Sequence, residues 1–384
     1  MIELNSKYGT VKIFAKTVEE EALGQITKMA NSVLGENAHI RIMPDCHAGI
    51  GCVIGTTMRI SDKVCPNLVG VDVGCGVTLA KTNIAFENQL EKLDQVIRKN
   101  IPYGHDVHNA PKEWGFKRLR CWNKLSDKVQ SVAMRSLGTL GGGNHFIEAY
   151  EDGYIAVHSG SRNIGYETAH YYQKLAQKTI NKQIAREILE AIPLKERELF
   201  IKDNKANIDK ELAYLTGRDM QDYLRDMAVL QDFALQNRLQ MLRVIVAEMG
   251  GEIMDMINST HNYIDTKRMI LRKGAISAEK GELLLIPLNM RDGMLICEGK
   301  GNRDWNWSAP HGAGRLYSRA KAKQIFLLED YQKAMKGIFS TCVNKSTLDE
   351  APFVYKDYQE IVECIEPTVK IIKKIAPIYN FKAN

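Results

Sequence analysis

Short apolar runs that end in glycine bends recur through this 384-residue chain, and that pattern is the strongest limit on its fold. Residues 40 to 82 alternate such runs and bends, as strands delivering loops to a common site would. Two stretches break the pattern. Tyr166 to Leu199 and Asp209 to Met256 carry few glycines and read as long helices, a helical insertion of about residues 166–256 in a β-rich core. Thr17 to Leu34 reads as an amphipathic helix with Val18, Ala22, Ile26, Met29 and Val33 on one face. Phe86 to Asn100 reads as a helix, Pro102 to Trp114 as a loop and Met269 to Gly299 as β-rich, with helices over much of Ser318 to Lys374. Neither an internal repeat nor a clear linker interrupts this order. The expectation is one intertwined α+β domain over residues 1–384.

The bends carry the reactive side chains. Trp307 to Arg315 (WSAPHGAGR) sets His311 ahead of Gly312, Ala313 and Gly314, small residues whose N–H groups can approach a phosphate. An imidazole there could act as a nucleophile toward phosphorus. Val69 to Val77 (VGVDVGCGV) places Asp72 and Cys75 in a glycine bend after an apolar lead. Alone, the pair fits a buried thiol beside a turn aspartate as well as a metal site. Ser136 to Glu148 puts Asn144, His145 and Glu148 directly after three glycines. His158 follows the apolar stretch Tyr154 to Val157, with Arg162 in the next loop as an oxyanion clamp. His261 lies in Ser259 to Asp265 (STHNYID). Three histidines, a carboxylate and a thiol make a donor inventory for one or two metal ions of the Zn, Mn, Fe or Co type. His105 and His108, in the predicted loop, read as surface residues. Asp45 and His47 could orient polynucleotide or a metal-bound water, or brace the glycine loop Gly49 to Gly55, and Cys46 and Cys52 read as packing residues.

In order along residues 40 to 320, these runs resemble the RtcB family of RNA-splicing ligases. The blocks are Met43–Gly55, VGVDVGCGV, GTLGGGNHFIE, VHSGSRNIG, THNYID, RKGAIS and GKGN followed by HGAGRLYSR. The resemblance implies an α+β catalytic domain with a β-rich core. It implies that His311 attacks the α-phosphorus of GTP to give a histidine–GMP adduct. Asp72, Cys75, His145, His158 and His261 would bind two Mn²⁺ ions, Cys75 bridging them. Asn144, Glu148, Ala313, Gly314 and the terminal Lys382 would contact the nucleotide together with His311 and Gly312, Glu148 and Lys382 at the guanine. Arg162 would hold phosphate of the polynucleotide or of GTP. The partner implied is RNA with a 3′-phosphate or 2′,3′-cyclic phosphate end and a 5′-hydroxyl end. The family pattern departs after Arg272 to Ser277: where it has Gly-Ser-Met-Gly, this chain has Pro287-Leu288-Asn289-Met290-Arg291-Asp292-Gly293. Asn289 would replace the nucleotide-holding serine. Arg291 and Asp292 either change the charge near the substrate or pair with each other at the surface.

Composition agrees without identifying the function. The net charge of +6 permits a polyanionic partner. Eight cysteines with no CxxC pair fit a reducing compartment. The N-terminus lacks a signal-peptide layout and no apolar run reaches the length of a membrane span, so the expectation is cytoplasmic. Two other functions share the inventory: a dinuclear metallo-phosphohydrolase, and an enzyme that guanylylates 3′-phosphate ends of RNA or DNA without sealing them. A noncatalytic RNA-repair partner fits less well, because it would have no use for the full ligand set.

Overall fold

The computed structural model describes residues 1–191 and 210–383, and among these the fold is mixed α+β. Residues 192–199 of the first long helical pattern, and residue 209 at the start of the second, lie outside the described residues. At the centre is a five-stranded sheet in the order Ile253–Thr260, Gly76–Thr82, Tyr154–Ser159, Phe146–Tyr150, Pro377–Lys382. Every neighbouring pair is antiparallel. Side chains alternate across a strand, so its two faces bury different partners. Ala80, Ile147, Ile155 and Val157 pack on Met241, Leu242 and Ile245 of the helix Gly217–Met249 and on Leu93 and Ile97 of the helix Leu90–Asn100. Val77, Leu79, Phe146 and Ala156 pack on Leu285, Met294 and Ile296. Those three belong to a second sheet ordered Leu283–Asn289, Gly293–Gly299, Val369–Ile375.

Register decides where the loops meet. Thr260 pairs with Gly76, Gly76 with Ser159, His158 with Phe146, and Phe146 with Lys382. Because neighbours run antiparallel, the start of one strand lies beside the end of the next. Cys75, His145, His158, His261 and Lys382 thus gather at one end of one sheet, although 307 residues separate the first from the last in sequence. A third sheet, of six strands, contributes Arg41–His47, which brings Asp45 and His47 to the same place. The short strand Ser308–Pro310, paired with Ala275–Ser277, delivers His311.

The predicted N-terminal helix is present over Glu20–Asn31, burying Ala22, Ile26 and Met29, while Val33 lies beyond its end and is exposed. The second long helical pattern stops earlier than its periodicity suggests. Gly250 adopts φ +81° and its N–H closes on the carbonyls of Val246 and Ala247, a left-handed helix end. Beyond it Ile253–Thr260 is a strand, because pairing with Gly76–Thr82 satisfies its backbone. Val369–Ile375, placed in the predicted C-terminal helical region, is likewise a strand held by Gly293–Gly299. No helix among the described residues is long and apolar enough to cross a membrane.

Polar residues buried on the helix Gly217–Met249 hold the loops. The Asn237 carboxamide oxygen accepts from the N–H groups of Gly138 and Thr139, and its amide donates to Thr139 O, Ser159 Oγ and Gly160 O. Arg238, fully buried, donates to Gly74 O, Ser159 O, Thr78 Oγ1 and Asn258 Oδ1, stitching three strands of the central sheet. Replacing Asn237 by Ala strands the buried N–H groups of Gly138 and Thr139 and the Gly160 carbonyl. We expect a loss of roughly 3 kcal/mol in a denaturant melt, and a cost near zero would show that water takes over its bonds.

Candidate active site

The end of the central sheet holds a compact group of donor atoms. Cys75 Sγ lies 3.2 Å from His158 Nε2 and 3.4 Å from His145 Nε2. These three residues form the candidate metal-holding group found among the described residues. His158 Nε2 is 3.4 Å from His261 Nε2, and His145 Nε2 is 3.0 Å from Asp72 Oδ2. The five residues singled out in the sequence therefore converge. The other ring nitrogens are tied to the backbone: His145 Nδ1–H donates to Leu140 O at 2.8 Å and His158 Nδ1–H to Asn144 O at 3.1 Å. That arrangement sets the tautomer and turns the Nε2 lone pairs inward, as ligating histidines require. Gly160 leaves the room: a Cβ there would sit 2.0 Å from Asp72 Oδ1.

The electrostatics agree with a cation site. Burial, then the neighbouring charged groups, push His158 and His261 well below the ordinary imidazole pKa, so both stay neutral. Burial pushes the Cys75 thiol up, and the Asp72 carboxylate adds to it. Burial would also raise Asp72, but the adjoining His145 ring and the charge of Arg162 outweigh it and hold it low. A divalent transition metal fits the imidazole, thiolate and carboxylate donors.

His311 stands next to this group, its ring centroid 4.7 Å from that of His261. Its Nδ1–H donates to Asp45 Oδ2 at 2.7 Å, and its backbone N–H reaches the same oxygen at 3.2 Å. Asp45 is fully buried, and its second oxygen has no partner among the described residues. Gly314, with φ +78°, closes the loop against this strand, where a Cβ would lie 2.4 Å from Asp45 O. The pairing leaves His311 Nε2 with its lone pair free. His47 lines the same cavity as His158 and His311. Its Nδ1 bonds its neighbour's carbonyl, Asp45 O, at 3.0 Å, and burial lowers its pKa to about 4.

A cavity of about 110 Å³ opens between His311 and the C-terminal strand. Asn144, Glu148, Asn289, Gly312, Ala313, Gly314 and Lys382 all line it. Burial raises Glu148 to a pKa of about 7, against hydrogen bonds from Tyr150 and Asn380 and the charge of Lys382. Lys382 Nζ bonds Glu350 Oε2 at 2.7 Å. Burial would raise Glu350, but Lys382, Arg319 and Arg315 hold it down at about 2. Glu350, Tyr355, Arg319, Tyr150 and Asn380 escaped sequence reasoning. Arg319 closes the HGAGRLYSR block and was within reach; the others sit in segments with no local pattern.

The variant loop is self-contained. Asn289 Oδ1 accepts from the N–H groups of Arg291 and Asp292, and its amide donates to Asp292 Oδ2 at 2.7 Å. Arg291 pairs with both oxygens of Asp292 at 3.0 Å, the surface pairing rather than a substrate charge. Asn289 borders the cavity with its amide engaged in the turn. Arg162 is half-buried against Gly141, donating to Thr139 Oγ1 and Gly104 O. His108 bonds Gly138 O and Lys112 rather than the donor group.

Comparison with known proteins gives a consistent result. A sequence profile of the family described as tRNA-splicing ligase RtcB matches residues 25–120 and 112–383. The RNA-splicing ligase RtcB of Escherichia coli (strain K12) is 30% identical over 414 residues, covering 96% of this chain and 96% of that protein. The tRNA-splicing ligase RtcB of Nanoarchaeum equitans is 26% identical over 470 residues, with 97% and 93% covered. That of Aeropyrum pernix is 27% identical over 451 residues, with 91% and 89% covered.

The Glu148 environment has a measurable cost. Its pKa is about 7 in the fold against 4.5 for a free carboxyl, so the group favours folding below pH 4.5 and that contribution is lost as the pH rises through 7. Glu148→Gln removes the titration. Relative to the parent, the variant should gain stability between pH 5 and pH 8 by up to about 3 kcal/mol in denaturant melts. A difference independent of pH would contradict this origin.

Proposed function

The chain belongs to the RtcB family of tRNA-splicing ligases, and on that premise we propose that it joins RNA ends in splicing or repair through a guanylyl group carried on His311. The observation that carries this reading is the Asp45–His311 pair beside the donor group. With Nδ1–H held by a buried carboxylate, Nε2 presents a fixed lone pair at the glycine loop. A metallo-phosphohydrolase would have no need of such a histidine.

GTP fits the cavity by its recognition edges. Guanine offers N–H donors and the O6 acceptor, matched by the Glu148 carboxylate and the Lys382 ammonium. The small residues Gly312 to Gly314 allow the α-phosphate to approach the backbone. His311 Nε2 attacks the α-phosphorus; an N–P bond forms, the α–β bridging bond breaks, and pyrophosphate leaves. Asp45 stabilises the positive charge that the ring gains. Asp72, Cys75, His145, His158 and His261 would hold Mn²⁺, which when bound neutralises phosphate charge and stabilises the leaving group. An RNA 3′-phosphate oxygen then attacks the guanylyl phosphorus and His311 leaves, giving a (3′)pp(5′)G end. A 5′-hydroxyl attacks the 3′-phosphorus, GMP departs, and the strand is sealed. A 2′,3′-cyclic phosphate enters after hydrolysis to the 3′-phosphate. Arg162, half-buried with its charge felt at Asp72, would balance charge as phosphate arrives. The enzyme acts in the cytoplasm.

Incubation with α-labelled GTP and Mn²⁺ tests the first step. Parent protein should acquire acid-labile, hydroxylamine-sensitive label, and His311→Ala none. Asp45→Asn, which keeps the shape but loses the charge, should slow labelling by two or more orders of magnitude, about 3 kcal/mol or more. An unlabelled parent that has bound metal would overturn the ligase reading in favour of hydrolysis.

A further inference from the structure

Away from the active site, a second cavity of about 560 Å³ is walled by Trp114, Phe116, Trp122 and Met134, with Lys112 and Lys117 on its border. Its volume is within the range of built ligand sites, about 300–1,000 Å³. The aromatic wall is rigid: Phe116 stacks on Trp122 at 5.3 Å, and Trp114 meets Phe116 and Phe233 edge-on. The charge of this segment is unlike the rest of the chain. Lys112 to Arg135 holds seven lysines and arginines against two acidic residues, a surplus of five within a chain whose net charge is +6. Arg118 and Arg120 are partly offset by Asp232 and Asp222 on the long helix. Lys117 on the border, and Lys124 and Lys128 in the segment between the wall residues Trp122 and Met134, are exposed and make no ion pair among the described residues.

This surface is joined to the active site by one loop. Gly104 N–H donates to Gly141 O and Leu140 N–H to Pro102 O, fastening the loop Pro102–Trp114 to the glycine bend that presents Asn144 and His145. Further on, His108 N–H donates to Arg135 O and Lys112 N–H to Met134 O, fastening it to the cavity. From this geometry we infer that the Trp114–Met134 cavity and its lysine border are a landing surface for single-stranded RNA flanking the ends to be joined. The inference rests on RNA being the polymer substrate. Trp114 and Met134, the part-exposed members of the wall, offer bases an apolar face that does not read their sequence, and unpaired lysines track the phosphates, the combination that single-strand binding uses. An acidic peptide would use the lysines and leave the aromatic wall without a partner.

The test replaces Lys117, Lys124 and Lys128 together by Gln and compares a control in which Lys7, Lys99 and Lys336, exposed elsewhere, become Gln. Binding of a labelled 20-nucleotide single-stranded RNA with a 3′-phosphate is read by anisotropy across a salt series. The cavity variant should bind about tenfold or more weakly at low salt, with a salt slope shallower by about 2 (roughly 0.7 for each phosphate that is no longer neutralised). The control should match the parent, and GTP labelling of His311 should be equal in all three. Unchanged RNA binding in the cavity variant, or an equal loss in the control, would overturn the landing surface and leave the ligase reading standing. A parent that neither labels with GTP nor binds RNA would instead remove the premise.

Discussion

Burying three imidazoles and a thiol beside a half-buried carboxylate is the constraint on which the rest of this structure depends. Each group loses hydration, and neutral imidazoles 3.4 Å apart gain little from one another. The arrangement is tolerable because the outward nitrogens of His145 and His158 bond to carbonyls and because Arg238 holds the strand ends from behind. It becomes favourable when a cation supplies the missing charge. The donor set, the long helix with its buried polar residues and the close glycines at 74, 76 and 160 are parts of one solution.

The same logic separates Glu148, which lines the cavity beside His311, from Glu350, which pairs with Lys382 on its wall. Glu350 is surrounded by Lys382, Arg315 and Arg319 and stays ionised at low pH. Glu148 receives neutral donors from Tyr150 and Asn380 and sits near neutrality. One carboxylate organises cations; the other is left responsive to what enters the cavity. Neighbours, rather than residue type, assign these roles.

Much of the site was legible because glycine bends carry it. Asp72, Cys75, His145, His158, His261 and His311 each stand beside glycine or small polar residues, a local signature with a local cause. Glu350, Tyr355 and Asn380 have no such signature; only long-range packing gives them a function. The overrun of the long helix to Met256 has a related origin, since the periodicity continues while Gly250 and a partner strand end the helix. Asn289 shows the opposite case, where a local turn consumed a side chain whose resemblance suggested a ligand contact. The mixed α+β class was readable from the contrast between glycine-punctuated strands and glycine-poor helices, whereas the order of the strands was not.

The pairing of Gly76 with Thr260 and of Phe146 with Lys382 has a kinetic meaning. Contacts that close loops of about two hundred residues form late, after the local helices and hairpins have reduced the search. A chain in which only the hairpin Phe146–Ser159 had formed would hold His145 and His158 without Cys75, His261 and Lys382 at their places. The donor group is thus assembled in the same event that completes the tertiary structure, and an incomplete molecule holds only part of it.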